Sequence, residues 1–158
     1  MSDFSYNQLP DNTWQIVFSR LKNLTFYTQE FALPSISIPD STMQVPGGTF
    51  KTSSGQLEVD DITFSFIVDE NMKSYLEMYT WLKELSVNDN PNYKMEYSDI
   101  YVLPMSSNSS KVINTIVLKN CFPVRLGQLT FRTNSSDTTY ITCDATFSVM
   151  DFEIKNES

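Results

Sequence analysis

Carboxylates that stand close together along the chain are the first candidates for chemistry, because many hydrolases use a pair of them as acid and base or nucleophile. The neighbouring acids are Asp60 with Asp61, Asp69 with Glu70, and Asp151 with Glu153. The first pair is expected to point to opposite faces of a strand, and the second precedes a predicted helix whose open N–H groups favour acids. The third lies close to the end of the sequence. None of these pairs favours a catalytic site.

The composition excludes several other kinds of chemistry. The chain has no histidine, so Ser-His and Cys-His catalysis and histidine metal sites are excluded. Cys121 and Cys143 lack metal-ligand spacing, and we expect buried free thiols. The sequence contains no dinucleotide fingerprint, phosphate-binding loop or calcium loop. We therefore expect a protein that is not an enzyme and needs no cofactor or metal.

The charge of the chain is acidic, with 19 Asp and Glu against 11 Lys and Arg and a net charge of -8. No basic stripe occurs, so tight binding to a nucleic-acid backbone is disfavoured. An acidic surface can nevertheless let DNA slide past. No apolar run reaches the roughly 18 residues that a membrane helix needs, and the first residues do not resemble a secretion signal. We expect folding in a cytoplasm and no membrane contact.

The clearest pattern lies in residues 57–85, where a strand is predicted to run into a helix at about 70–86. Alternation places Ile62, Phe64 and Phe66 on one face of the strand. Helical spacing then predicts an apolar stripe that packs on the sheets and consists of Met72, Tyr75, Leu76, Tyr79, Leu82 and Leu85. Met78 and Trp81 lie off this stripe, so we expect the helix to offer them to a neighbouring subunit.

The remaining segments favour strands. We predict an opening hairpin from 14–18 and 24–28, a central strand at 111–119 that is apolar on both faces, a break at Pro123 with a strand resuming through Leu129 and Phe131, and a last strand at 141–149. The predicted fold is mainly β with one flanking α-helix. Its two packed antiparallel sheets form a β-sandwich or partly open barrel, in a single domain of residues 1–158.

Prolines and glycines make residues 34–56 an extended loop without a regular helix or central strand. Structureless loops of this length are uncommon in small domains and are often functional. Met43, Val45 and Phe50 are apolar residues in an otherwise polar segment. The loop either folds back on its own domain or docks onto another subunit.

Several motifs, taken in order, resemble the tail-tube proteins of contractile-tailed bacteriophages. They are the Ala32-Leu33-Pro34 step, the proline-bracketed loop to Pro46, the strand and helix ending near Trp81, the Phe122-Pro123 break followed by Gly127-Gln128-Leu129, and the closing Asp151-Phe152-Glu153. They extend from about Trp14 to Glu153. The resemblance implies a subunit whose two packed sheets assemble into a hexameric ring, with inner strands joined into a barrel around a DNA channel.

The segment FIVDENMKSYLEMYTWL looks most similar to tail completion or terminator proteins, which cap the tube; the major tail tube protein is the alternative. The resemblance implies a virion tail protein assembled in the host cytoplasm, with tube, sheath and head-proximal neck proteins as partners and DNA passing without specific binding. Contacts between subunits or rings are expected at Leu33, Pro34, Met43, Val45, Pro46, Phe50, Met78 and Trp81. Candidate lumen-facing acids are Asp144 and Asp151.

Two alternatives stay open. A monomeric β-sandwich could bind a sugar or peptide through Trp14, Trp81 and the tyrosines on a concave face, and a related ring could form the tube of a secreted effector.

Overall fold

The computed structural model describes residues 9–86, 97–106, 111–112, 114–134, 136–137 and 139–156. Within them the strands are β1 (Trp14–Phe18), β2 (Thr28–Ala32), β3 (Ile36–Ser37), β4 (Asp40–Val45), β5 (Gly48–Ser53), β6 (Glu58–Val59), β7 (Ile62–Ile67), β8 (Ser98–Pro104), β9 (Asn114–Leu126), β10 (Thr142–Ser148) and β11 (Asp151–Asn156). The helices are α1 (Lys22–Tyr27) and α2 (Lys73–Glu84). Neither of these helices is long and apolar enough to cross a bilayer.

Two antiparallel sheets share the long strand β9. In the first sheet, the first half of β9 lies between β8 and β11, and β1 pairs with the other side of β8. In the second sheet, the last residues of β9 pair with β10, followed by β7 and β2. The path from β1 to β2 does not close into a barrel in the described residues. The predicted fold class, mainly β with packed antiparallel sheets, is confirmed.

Strand β9 passes from one sheet to the other at Asn120. This residue has a φ of 53°, a left-handed conformation that Asn tolerates better than most residues. Its N–H donates a hydrogen bond to the Asp99 carboxylate at 3.0 Å. The strand then continues through Pro123, which lies opposite Phe147 where the register with β10 shifts.

The predicted break at Pro123 is therefore wrong. A bulged position in a strand does not require the N–H that proline lacks, so β9 reaches Leu126 without interruption. The strand predicted through Leu129 and Phe131 is also absent, since those residues belong to the connection between β9 and β10.

The core lies between the two sheets and matches the predicted inward faces. On β7, Ile62, Phe64 and Phe66 are buried, as alternation requires for a strand with one covered face. The ring of Phe64 stacks on that of Phe147 at 5.0 Å. Consecutive residues of β9, Ile116–Leu118, are all buried, which confirms that this strand is covered on both faces.

The opening hairpin is a wrong prediction, because α1 separates β1 from β2 and each strand pairs elsewhere. Strand β1 pairs with β8, and β2 pairs with β7. The short helix is tied to the residues just before it and follows the buried Leu21: the Thr25 hydroxyl donates to the Leu21 carbonyl at 3.0 Å and accepts from the Phe18 N–H at 2.9 Å. A six-residue helix forms only with such support.

Helix α2 confirms the predicted helix but not its orientation. Met78 and Trp81 are 0% and 2% exposed, and the Trp81 ring lies 5.5 Å from that of Phe147. Leu76 and Tyr79, assigned to the buried stripe, are exposed. The reason is Ser74, a fully buried polar residue whose hydroxyl donates to the Ile67 carbonyl at 3.1 Å. Ser74 lies on the buried side of α2 together with Met78 and Trp81. The buried side is therefore not continuously apolar in the sequence.

Candidate assembly surfaces

Residues 35–60 form a projecting arm that contains β3 to β6. At its base Ile36 pairs with Val59, and farther out Met43 pairs with Phe50. Every residue from 40 to 58 is exposed. Pro46 and Gly47, whose φ is 97°, make the turn, and this is the residue order of a type II turn. The segment is therefore an ordered hairpin and not the structureless loop that its prolines and glycines indicated.

The outer hairpin of the arm has one apolar and one polar face. Met43 and Phe50 stand directly opposite each other and are 57% and 61% exposed. Val45 lies two residues beyond Met43, so it shares their face. On the other face the Lys51 ammonium lies 3.5 Å from the Asp40 carboxylate. We call Met43, Val45 and Phe50 the apolar face of the arm.

The two ends of the arm are hydrogen-bonded to each other beside the buried Pro34. Pro34 is buried, Leu33 is exposed, and the Asp60 N–H donates to the Ser35 carbonyl at 3.0 Å. The structure thus brings Met43, Val45 and Phe50 together and places Pro46 at their tip. Further exposed apolar residues near the base, which the sequence did not single out, are Ile36, Ile38 and Leu57.

A second exposed apolar surface runs along α2. Met72, Leu76 and Tyr79 are all exposed, and their spacing of four and three residues puts them on one side of a helix. Lys73 and Lys83 are also exposed, and the Lys83 ammonium lies 5.7 Å from the centre of the Tyr79 ring. We call Met72, Leu76 and Tyr79 the outer stripe. The sequence did not predict this exposed surface, because the three residues were assigned to the stripe that packs on the sheets.

The backbone of Met72 is unusual. It has a φ of 54° and a ψ of 29°, the left-handed region, at the N-cap of α2. Such values are uncommon for a residue other than Gly, Asn or Asp. The Met72 side chain is exposed, so burial in this chain does not compensate for the conformation.

One acid of each neighbouring pair has a structural partner. Desolvation raises the pKa of Asp69, but hydrogen bonds from the Ser74 N–H and hydroxyl outweigh it and hold the pKa below its ordinary value. Asp69 therefore accepts a hydrogen bond from an open N–H of the first turn of α2, as predicted, although Met72 occupies the N-cap position. The Lys119 ammonium bonds to the Glu153 carboxylate and lowers its pKa, and Asp60 accepts a hydrogen bond from the Ser35 hydroxyl.

The candidate lumen acids lie on different sheets. Asp144 is on the outward face of β10, where its carboxylate accepts a hydrogen bond from Ser65 of β7. The adjacent hydroxyls of Thr63 and Thr146 lie 3.3 Å apart on the same face. Asp151 belongs to β11, opposite Lys119 in the first sheet. The structure does not bring the two acids together.

The aromatic residues proposed for a concave ligand site are also separated. Trp81 is buried, and Trp14 is half-buried with its ring edge-on to Phe31 at 4.7 Å. Both indoles are thus used in packing, which disfavours the sugar- or peptide-binding module.

The profile of the phage tail tube protein family matches residues 4–155. The chain belongs to the phage tail tube protein family. The resemblance noted in the sequence is confirmed, and the role of this tail tube family member is structural. No curated protein matches the chain.

Solved structures share the fold of this tail tube family member. The anti-feeding prophage cap (AFP tube terminating cap) has a TM-score of 0.73 at 18% identity, covering 99% of this chain and 96% of that one. A chain of the PVC sheath-tube complex has a TM-score of 0.72 at 18% identity, covering 96% and 93%. A chain of the PVC sheath/tube terminator has a TM-score of 0.69 at 17% identity, covering 94% and 97%.

Proposed function

We propose that this tail tube family member is the subunit of a hexameric ring around the DNA channel of a contractile tail. The observation that carries the proposal is the arm, which is exposed at every residue from 40 to 58 and has an apolar face. A two-stranded hairpin alone is marginally stable in water, and exposed apolar clusters mark interaction sites. Docking on another copy supplies the missing contact.

The end strands of the sheets support a ring as well. The strand path ends at β1 and β2, and end strands invite pairing with other chains. A ring in which the second sheets of neighbouring copies join would cover β2, the end strand of that sheet.

The outward face of the second sheet is suited to line the channel. On β7 and β10 it carries Thr63, Ser65, Asp144 and Thr146, with Arg125 of β9 opposite Thr146. Arg125 is a cation on this face, but two acids, Asp144 and Glu30 of β2 opposite Ser65, outnumber it, and the net charge of -8 of the chain repels phosphate. We therefore propose Asp144, and not Asp151, as the channel-facing acid.

For the position in the tail, our first assignment is the tube end, as a completion or terminator protein, and the tube body is the second. The similarity to the AFP cap and to the PVC sheath/tube terminator supports the first. The similarity to the PVC sheath-tube complex supports the second. Other tail proteins of the tube, sheath or neck are the expected partners.

Substitutions on the two faces of the arm test the ring. Changing Met43→Ser with Phe50→Ser should abolish assembly, because it removes the apolar face, and should leave the melting temperature unchanged, because neither side chain contacts the core. Thr42→Ser with Thr49→Ser is the control on the polar face. Light scattering and negative-stain microscopy report the outcome. Isolated rings indicate the tube end and long tubes the body, whereas a monomeric unsubstituted protein or normal assembly without the apolar face contradicts the proposal.

A further inference from the structure

We propose that the apolar face of the arm docks on the outer stripe of α2 in a second copy of the chain. This inference rests on the proposed function, in which the arm binds another copy, and names the surface that receives it. Both surfaces are apolar and exposed. Since the arm of one copy does not cover its own helix, the contact joins different copies.

The two surfaces match in size and architecture. The outer stripe extends from Met72 to Tyr79, about 10 Å along a helix. The apolar face of the arm spans one strand spacing of about 5 Å and two residues, about 7 Å, along β4. A helix side laid on the apolar face of strands is a standard way to bury both.

The exposed charges beside the two apolar surfaces are complementary, although α2 as a whole is neutral: its acids Glu77 and Glu84 are half-buried, and Glu84 pairs with Arg20. The arm and the residue that follows it carry one lysine, Lys51, against four acids, which are Asp40, Glu58, Asp60 and Asp61. The outer stripe is flanked by Lys73 near one end and Lys83 near the other, both exposed. Opposite charges around an apolar centre steer association and fix its register. Lys51 does not oppose this contact, because it pairs with Asp40 on the polar face of the arm.

The backbone of Met72 gives an independent reason to regard the outer stripe as an interface. A non-glycine residue is held in the left-handed region only where the surroundings require it, and such residues concentrate at functional sites. Within the chain the Met72 backbone is held by hydrogen bonds from its N–H to the Asp69 carbonyl and from the Leu76 N–H to its carbonyl, but these bonds do not involve its exposed side chain. A contact with the arm of a second copy would explain why methionine occupies this position.

Cysteine pairs test the contact directly. One chain carries Phe50→Cys and a second carries Leu76→Cys, while the native thiols Cys121 and Cys143 are buried. After mild oxidation of the mixed assembly we expect disulfide-linked dimers well above those of either variant alone. The control mixture pairs Phe50→Cys with Met150→Cys, an exposed position between β10 and β11, and should stay at background.

The variant Met72→Asn provides a second test, in which the stability of the fold and the strength of assembly should change in opposite directions. Asparagine tolerates the left-handed backbone better, so the melting temperature should stay equal or rise. Loss of the methionine side chain should raise the concentration needed for assembly about tenfold, as for a central interface residue. If Met72 served only the fold of its own chain, the substitution would not weaken assembly while leaving the melting temperature equal or higher.

The outcomes distinguish this inference from the ring itself. Assembly without the Phe50–Leu76 disulfide, or unchanged assembly of Met72→Asn, would show that the outer stripe is not the surface that receives the arm. The proposed ring would not be affected by either result. A chain that stays monomeric would overturn both. A disulfide specific to the Phe50–Leu76 mixture, together with weakened assembly of Met72→Asn, supports the docking.

Discussion

Gly127 stands where the end of β9 is pressed against β10, and no side chain fits there. A Cβ at this position would lie 2.8 Å from the Asp144 carbonyl oxygen and 3.2 Å from its nitrogen. Both are backbone atoms, so neither can rotate away. The contact is reinforced because the Gly127 N–H donates to that same carbonyl at 2.6 Å.

Gly127→Ala should therefore lower the free energy of unfolding by about 1–3 kcal/mol, the usual cost of forcing an extra methyl into a packed site. Urea denaturation measures it. Gly48→Ala is the matched control, since a Cβ there meets nothing within 4 Å and should change stability by less than about 0.5 kcal/mol. Equal effects of the two substitutions would mean that the close approach does not constrain the chain.

Cys121 provides a pH-dependent test of the core. Burial, with a smaller contribution from the Asp99 charge, raises the pKa of its thiol from 9.0 to about 12. Because the unfolded chain loses this proton first, the thiol stabilises the fold below about pH 9 and that stabilisation disappears as the pH rises toward 12. At pH 8 the folded protein should leave Cys121 unreactive to a thiol reagent, with reaction only after unfolding in urea. Rapid labelling of Cys121 in the folded state would show that it is accessible.

At the scale of elements, the sequence predicts well where one rule dominates. Strands β7 and β10 follow simple alternation, and the structure buries the predicted faces. The arm was misjudged because its prolines and glycines lie between or at the ends of the strands: Pro39 precedes β4, Pro46 and Gly47 form the turn, and Gly48 is the first residue of β5. The pairing of β1 and β2 with distant strands depends on α1, whose six residues show no helical pattern of their own.

The faces of α2 could not be read from hydrophobicity. The buried side contains Ser74, which is tolerated because its one hydroxyl hydrogen is shared between the Ile67 carbonyl and the Asp69 carboxylate. The exposed side contains Met72, Leu76 and Tyr79. A helix that is apolar on two sides normally packs on two sides. The signal was present in the sequence, but it fits either orientation until tertiary contacts select one.

Paired substitutions on α2 test this orientation. Trp81→Ala should cost about 3–5 kcal/mol of stability, because it empties a buried site against Phe147. Tyr79→Ala, on the exposed side of the same helix, should cost less than about 0.5 kcal/mol and should instead weaken assembly. Urea denaturation of each variant decides the matter, and a larger loss for Tyr79→Ala would reverse the assignment of the faces.

At the scale of the whole molecule, an acidic chain has to associate with copies of itself against mutual repulsion. The exposed apolar surfaces on the arm and on α2 are the features that can overcome it, since burial of apolar area is independent of charge. On β7 and β10 the outward hydroxyl face carries one apolar residue, the half-buried Ile67 at the end of β7, and in the second sheet Val124 of β9 is also exposed. This division favours contacts through the arm and helix and leaves the polar face for the channel.

Reversing the charge of Asp144 tests the channel face. Asp144→Lys changes the charge by two units in every copy, and the ring repeats the change around the channel, so passing phosphates should be held and DNA ejection from assembled particles should slow. Screening at physiological salt acts over about 8 Å, so added salt should partly restore the rate. Asp151→Lys makes the same charge change on the first sheet, beside Lys119, and should leave ejection unchanged. An Asp144→Lys particle that ejects at the normal rate would show that the second sheet does not line the channel, whereas slowing by Asp151→Lys alone would assign that role to the first sheet.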